Sequence, residues 1–230
     1  MACDSRLIVA LDVPSVAEAW GLVERLGDQV SFYKIGLQLL AVGGVQMARE
    51  LKARGFSVFA DWKLHDIGAT VEKAAAAIAA AGGADLLTVH AEPQVLAAAV
   101  RGRGDAPVKI LGVTVMTSLT DGDLAEIGYA FDVERLIERR IRQCLAAGAD
   151  GVIVGPREAA LARRLGGPDF LVVTPGVRPA WAGADDQARP ATPVETLRNG
   201  ASHIVCGRPI TAAADPKAAA ARMAEEMAQA

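Results

Sequence analysis

Short apolar runs alternate along this chain with longer stretches in which apolar residues recur at helical spacing. The runs at 7–12, 31–35, 57–62, 86–90, 108–115, 151–154, 170–174 and 203–206 read as strands, and they are apolar almost throughout. Strands of that kind belong to a sheet covered on both faces, which points to parallel pairing. Helical spacing covers 16–26, 39–54, 69–81, 94–100, 133–147, 157–165 and 192–199, and a last helix at 216–227 closes the chain. Eight strand-helix units in 230 residues predict an α/β fold, a single (β/α)8 TIM barrel with residues 1–230 as one domain.

The punctuation agrees with these cuts. Ser15 stands three residues before Glu18, and Thr192-Pro193 precedes Glu195, the order of an N-cap, a first-turn proline and an acid that bonds back. Gly55, Gly82, Gly148 and Gly200 end helices just before the next strand, and Pro209 suits the first turn of the closing helix. Only 176–190 lacks a period; with Pro179, Gly183, two aspartates, Gln187 and Arg189 it reads as a mobile lid or as a loose surface loop.

Composition narrows the class. Hydrophobic residues at 52% and charged residues at 22% supply a sizeable core and exclude a disordered chain. A net charge of -3 without any basic block argues against a nucleic-acid groove, yet leaves room for a local cationic pocket. No apolar run approaches the length of about 18 residues that a membrane span needs, and residues 1–6 lead into a short strand rather than a signal segment. A cytoplasmic protein with no membrane partner is expected. Cys3, Cys144 and Cys206 lack CxxC or metal spacing and read as reduced, structural thiols.

In a barrel the chemistry sits at the carboxyl ends of the strands. Those ends carry Asp12, Lys34, Asp61 with Lys63, His90, the 114–118 stretch, residues 175–178 and Gly207-Arg208. The densest is Asp61-Trp62-Lys63-Leu64-His65-Asp66-Ile67-Gly68. Strand alternation puts Asp61 and Lys63 on one face and Trp62 on the other. Two carboxylates near a lysine favour its ammonium form, a proton donor fixed beside two anionic groups; a surface salt-bridge cluster would carry the same wording. Lys34, in an otherwise apolar strand, needs a charge partner or a path to the rim. Gly176-Val177-Arg178-Pro179 and Gly207-Arg208-Pro209-Ile210 each place a glycine beside an arginine after the last two strands, where barrels hold phosphate.

Other chemistries fit less well. A divalent ion at His65, His90, Asp61 and Asp66 would compete with Lys63 for the carboxylates, so no metal is expected. A Ser-His-Asp hydrolase lacks its GxSxG elbow. A Schiff-base lysine needs a free amine, which neighbouring carboxylates disfavour. His203 begins a strand at the opposite end and reads as structural.

These segments together resemble the orotidine 5'-phosphate decarboxylase family. The resemblance rests on Ala10-Leu11-Asp12, Tyr33-Lys34-Ile35-Gly36, Asp61-Trp62-Lys63-Leu64-His65-Asp66-Ile67, Thr70-Val71, Gly112-Val113-Thr114-Val115 with Thr117-Ser118, Thr174-Pro175-Gly176-Val177-Arg178-Pro179, Asp186-Gln187 and Gly207-Arg208-Pro209-Ile210-Thr211. Related sugar-phosphate decarboxylases and hexulose-phosphate synthases share the DxKxxD spacing but fit the other segments badly. The resemblance implies conversion of orotidine 5'-monophosphate to uridine 5'-monophosphate and CO2 without cofactor or metal. It implies a charge array of Lys34, Asp61, Lys63 and Asp66 at the reacting base, and ribose contacts from Asp12, Lys34 and Thr70. Ile67 would pack near the pyrimidine, Ser118 would bond its edge, Pro175 would line the substrate site, and Gln187, Arg208 and Gly207 would hold the phosphate. It further implies a homodimer in which Asp66, Ile67 and Thr70 reach the partner's site. Two departures stand out: Gly68-Ala69 replaces the family's usual Pro-Asn, implying altered turn flexibility, and Ala91-Glu92-Pro93 follows His90 where glycines are usual.

Overall fold

The computed structural model describes residues 3–182 and 191–230. From the N-terminus it runs through β1 (Leu7–Ala10), α1 (Val16–Leu26), β2 (Phe32–Ile35), α2 (Leu37–Leu40), α3 (Gly44–Ala53), β3 (Ser57–Leu64) and α4 (Gly68–Ala81). It continues with β4 (Leu86–His90), α5 (Pro93–Arg103), β5 (Lys109–Val113), α6 (Asp121–Ile127), α7 (Val133–Ala146), β6 (Gly151–Ile153) and α8 (Ala159–Gly166). The last elements are β7 (Leu171–Thr174), α9 (Pro193–Arg198), β8 (His203–Cys206), α10 (Arg208–Thr211) and α11 (Pro216–Met227). The eight strands are parallel and close in sequence order, with β8 returning to β1 through Leu7↔Ile204. The expected (β/α)8 barrel is therefore the fold.

Two shells of side chains hold it. Outward-facing residues such as Val9, Tyr33, Val58, Leu87, Ile110 and Val152 are buried against the helices. Inward-facing Ile8, Phe32, Phe59, Leu86, Leu111 and Val173 pack on one another as the barrel floor. Each fully buried side chain of this kind contributes about 1.5–3 kcal/mol. The same parity continues up each strand, so Asp12 follows Ile8 and Ala10, Lys34 follows Phe32, and Asp61 follows Phe59. Chemistry-bearing side chains thus stand on an apolar floor inside the barrel mouth.

The expected caps form. Ser15 Oγ accepts from the Glu18 N–H at 3.2 Å, and Thr192 with Glu195 makes a reciprocal capping box. Several expectations are corrected. The helix expected over 39–54 is two helices: Gly43 has φ 122°, and a Cβ on Gly44 would lie 2.8 Å from the Leu39 backbone, so the chain turns tightly between α2 and α3. Helix α6 was not expected, because its seven residues carry no sustained apolar period. Pro209 belongs to the one-turn α10, while the closing helix α11 begins at Pro216. Strand β3 runs on past Trp62 to Leu64. Among the described residues no helix is long and apolar enough to cross a membrane.

Candidate active site

The carboxyl ends of the strands surround a cavity of about 440 Å³. Its floor includes Phe59, Val113, Ile153 and Val205, and its wall includes Asp12, Lys34, Asp61, Lys63, Ser118, Pro175, Gly207 and Arg208. Among the described lining residues four are cationic, Lys34, Lys63, Arg178 and Arg208, against the carboxylates Asp12 and Asp61. A chain of net charge -3 has thus gathered local positive charge where an anionic ligand would enter.

The first three strands build an alternating ion array. Lys34 Nζ lies 3.0 Å from Asp12 Oδ1 and 3.3 Å from Asp61 Oδ2, and Lys63 Nζ lies 2.8 Å from Asp61 Oδ1. Lys34 and Asp61 are both buried at the centre of the array, whereas Lys63 is half-buried and Asp12 exposed at the rim. Burial opposes the charge on Asp61, but the two ammonium groups and hydrogen bonds from Lys63 and Thr88 outweigh it, holding the carboxyl below its usual range. With a depressed folded-state value, Asp61 contributes stability at neutral pH that is lost as pH falls through that value.

The local backbone of β3 is irregular at this point. Between Ala60 and Leu64 the strand takes four steps while β4 takes two, from Leu87 to Val89. Among the described residues Lys63 is the one non-glycine with positive φ, at 47°. That conformation costs an L-residue about 1–2 kcal/mol, so neighbouring bonds must hold it. The Lys63 N–H donates to Thr88 Oγ1 at 3.0 Å, and the Thr88 hydroxyl donates to Asp61 Oδ1 at 3.1 Å.

Gly36 fixes the approach of the next segment. A Cβ there would sit 2.7 Å from Asp12 Oδ1 and 3.0 Å from Lys34 Nζ, so the ion pair itself would have to move. Gly36→Ala is expected to leave the melting temperature nearly unchanged and to lower kcat/KM by roughly 10–100-fold, because a displacement of about 1 Å in a positioned group costs that much. An alanine variant with wild-type kcat/KM would show that this pair's placement is not critical.

At the far side, β7 is followed by Gly176, Val177 and Arg178, and β8 by Gly207 and α10. Val177 pairs with Ala191, and the Arg178 N–H donates to Ala191 O at 3.0 Å, which ties the base of the loop together. Arg178 is buried and Arg208 exposed. Gln187, and with it the Asp186-Gln187 segment of the expected lid, lies outside the described residues. Arg140 of α7, which carried no signal in the sequence, reaches under the rim to donate to the Thr114 carbonyl. It also meets Glu92 Oε1 and the Tyr129 hydroxyl, each at 2.9 Å. The unusual Glu92 therefore has a role in tying β4 to α7 below the loop that carries Ser118.

Asp66, Ile67 and Thr70 do not line the cavity of their own chain and are exposed at the start of α4; Asp66 Oδ1 accepts from the Ile67 N–H at 2.6 Å. Ile67 has φ -59° and ψ 147°, the geometry that precedes a proline, and a Cβ on Gly68 would meet nothing closer than Ala98 Cβ at 3.7 Å. Gly68 thus leaves the turn in the shape a proline would have imposed. His90 packs against His65 with the rings tilted by 39° and centroids 4.8 Å apart, and burial, with His65, Arg140 and Lys63 nearby, lowers its pKa despite Glu92. His203 lies at the opposite end, edge-on to Phe32. Burial pushes the Cys144 and Cys206 thiols up to about 12, which suits inert core residues.

Comparison with known proteins places this arrangement. The family model described as "Orotidine 5'-phosphate decarboxylase / HUMPS family" matches residues 5–223. An orotidine 5'-phosphate decarboxylase of Caulobacter sp. (strain K31) is 63% identical over 228 residues, covering 99% of each chain. One of Rhodopseudomonas palustris (strain BisB5) is 54% identical over 225 residues, covering 98% of this chain and 95% of the relative. The crystal structure of orotidine 5'-phosphate decarboxylase from Lactobacillus acidophilus superposes with a TM-score of 0.85 at 35% identity, covering 97% of this chain and 99% of that one.

Proposed function

The chain belongs to the orotidine 5'-phosphate decarboxylase / HUMPS family, and we propose that it converts orotidine 5'-monophosphate to uridine 5'-monophosphate and CO2 with Lys63 as the proton donor. The observation that carries this reading is the Lys34-Asp61-Lys63 array, centred on a buried Asp61, at the wall of a cavity whose other side carries Arg178 and Arg208. An ammonium held against a carboxylate serves where negative charge develops, and the arginines serve a phosphate.

In this mechanism the bond from C6 to the carboxylate breaks heterolytically and its electron pair stays on C6. The Lys63 ammonium stabilises that charge and then transfers a proton to C6, leaving a neutral amine that solvent reprotonates. Asp61, beside the departing carboxylate, adds repulsion that is relieved as CO2 leaves. Lys34 holds Asp61 in place and, with Asp12 and Thr70, takes the ribose hydroxyls. Ser118 bonds the pyrimidine edge, Ile67 packs near it and Pro175 lines it. Gln187, Arg208 and the Gly207 backbone hold the phosphate, whose binding organises the site for the distant reacting centre. No cofactor or metal takes part.

The whole chain acts as one catalytic domain in a homodimer, with Asp66, Ile67 and Thr70 completing the partner's array. Two features support that assembly. These three residues do not line their own cavity, and large exposed apolar side chains outside that cavity fall in the segments after β2, β3 and β5: Leu37, Val42, Val45, Ile67 and Ile127. The cytoplasm is the compartment that suits a nucleotide-forming reaction with free thiols at Cys3, Cys144 and Cys206.

The test is direct. Purified protein treated with a chelator should bleach the absorbance of orotidine 5'-monophosphate and release CO2 in equal amount. Tight binding of uridine 5'-monophosphate without turnover, or activity only with added Mg²⁺ on a sugar phosphate, would replace this reading with that of a binding barrel or of a sugar-phosphate decarboxylase.

A further inference from the structure

Thr88 stands in the middle of β4, fully buried and in inward register between Leu86 and His90. It does not line the cavity. Its one hydroxyl nevertheless bonds both halves of the array, donating to Asp61 Oδ1 at 3.1 Å and accepting from the Lys63 N–H at 3.0 Å. A hydroxyl can serve both because it has one proton and two lone pairs. The irregularity in β3 takes Lys63 out of step with the β4 backbone, and a buried amide left without an acceptor is costly. The Thr88 side chain supplies the acceptor that the β4 backbone does not, at the residue whose φ of 47° most needs holding.

We propose that Thr88 is a positioning residue for the reaction: its hydroxyl pins the β3 bulge and the Asp61 carboxylate to one point, and so aims the Lys63 ammonium. The role rests on the reading that Lys63 delivers the proton. Thr88 lies behind the cavity lining, so its removal acts on the aim of Lys63 and not on the cavity wall.

Shape and hydrogen bonding separate cleanly at this position. Valine keeps the shape of threonine and loses the hydroxyl, whereas serine keeps the hydroxyl and loses a methyl group. If Thr88 only filled space, Thr88→Val would be the milder change. Under the positioning role the order reverses. Thr88→Val is expected to lower kcat by roughly 10–100-fold, the cost of a misaimed group, with KM and the affinity for uridine 5'-monophosphate within about threefold of wild type. Thr88→Ser is expected to keep kcat within about threefold.

Wild-type kcat in Thr88→Val, or equal loss in the serine and valine variants, would overturn the role. Should Thr88→Val fail to accumulate as folded protein, Thr88→Cys takes its place, since a thiol of serine-like shape is a far weaker donor and acceptor. A cysteine variant well below the serine variant in kcat supports the role, and equal values overturn it. Lys63→Ala is assayed alongside. If it keeps turnover, the proton-donor reading and the positioning role fall together; if it is inactive while Thr88→Val has full kcat, only the positioning role falls.

Discussion

Lys63→Ala should lose turnover by roughly 10⁴-fold or more, combining a lost proton donor with a lost charge at the carbanion. Binding of uridine 5'-monophosphate should stay within about tenfold of wild type, because the product lacks the carboxylate and has no developing charge for Lys63 to meet. The fold should survive the change. Asp61 would still have Lys34 at 3.3 Å and the Thr88 hydroxyl at 3.1 Å, so the buried carboxylate is not left alone. Steady-state turnover and product titration on the same preparation check both halves. Near-normal turnover in a variant free of wild-type protein would remove Lys63 from the chemistry, and parallel losses in turnover and product affinity would make it a binding group instead.

The barrel was legible because its signal is distributed. All eight strands were found within a few residues, since each is an apolar run bounded by glycine or polar residues, and errors at single ends do not change the count. Two of the helical errors have local causes. The break between α2 and α3 depends on how closely Gly44 approaches Leu39, a fact of three dimensions that the apolar period of 39–54 conceals. Helix α6 had a usable signal in Thr120 and Asp123, whose reciprocal bonds cap it, but no apolar stripe to announce it.

The site was legible for a different reason. Strand ends list candidate residues directly, and the parity that puts Phe32 and Phe59 on the barrel floor puts Lys34 and Asp61 above them. The same parity was available for Thr88, two residues beyond Leu86, but a threonine in a strand is ordinary and only the bulge gives it meaning. Lys63 meets Asp61 as strand alternation predicts, yet by way of a left-handed residue in an irregular strand. Arg140 comes from a helix and acts on the Thr114 carbonyl, a contact that no sequence spacing encodes. The DxKxxD spacing reads Asp66 as a second carboxylate near Lys63, and only the family resemblance brings it from a partner; in its own chain it bonds the Ile67 amide.

That position of Asp66 makes the shared site testable by complementation. In the proposed two-fold dimer each site would take Asp61 and Lys63 from one chain and Asp66 from the other. Lys63→Ala and Asp66→Asn dimers should each be nearly inactive, because every site lacks one member of the array. A mixed dimer has one site carrying both substitutions and one carrying neither. With free exchange and equal amounts, about half the dimers are mixed and half of their sites are intact, so activity should recover to about a quarter of wild type per total site. The recovery should grow on the timescale of subunit exchange, followed by mass measurement of the mixed species. An Asp66 acting within its own chain predicts the opposite, since each site of a mixed dimer would then hold one defect and none would be whole. Verified exchange with activity still at the level of the separate variants would therefore place Asp66 in its own chain or out of the reaction, while leaving the roles of Lys34, Asp61 and Lys63 to stand on the geometry of a single barrel.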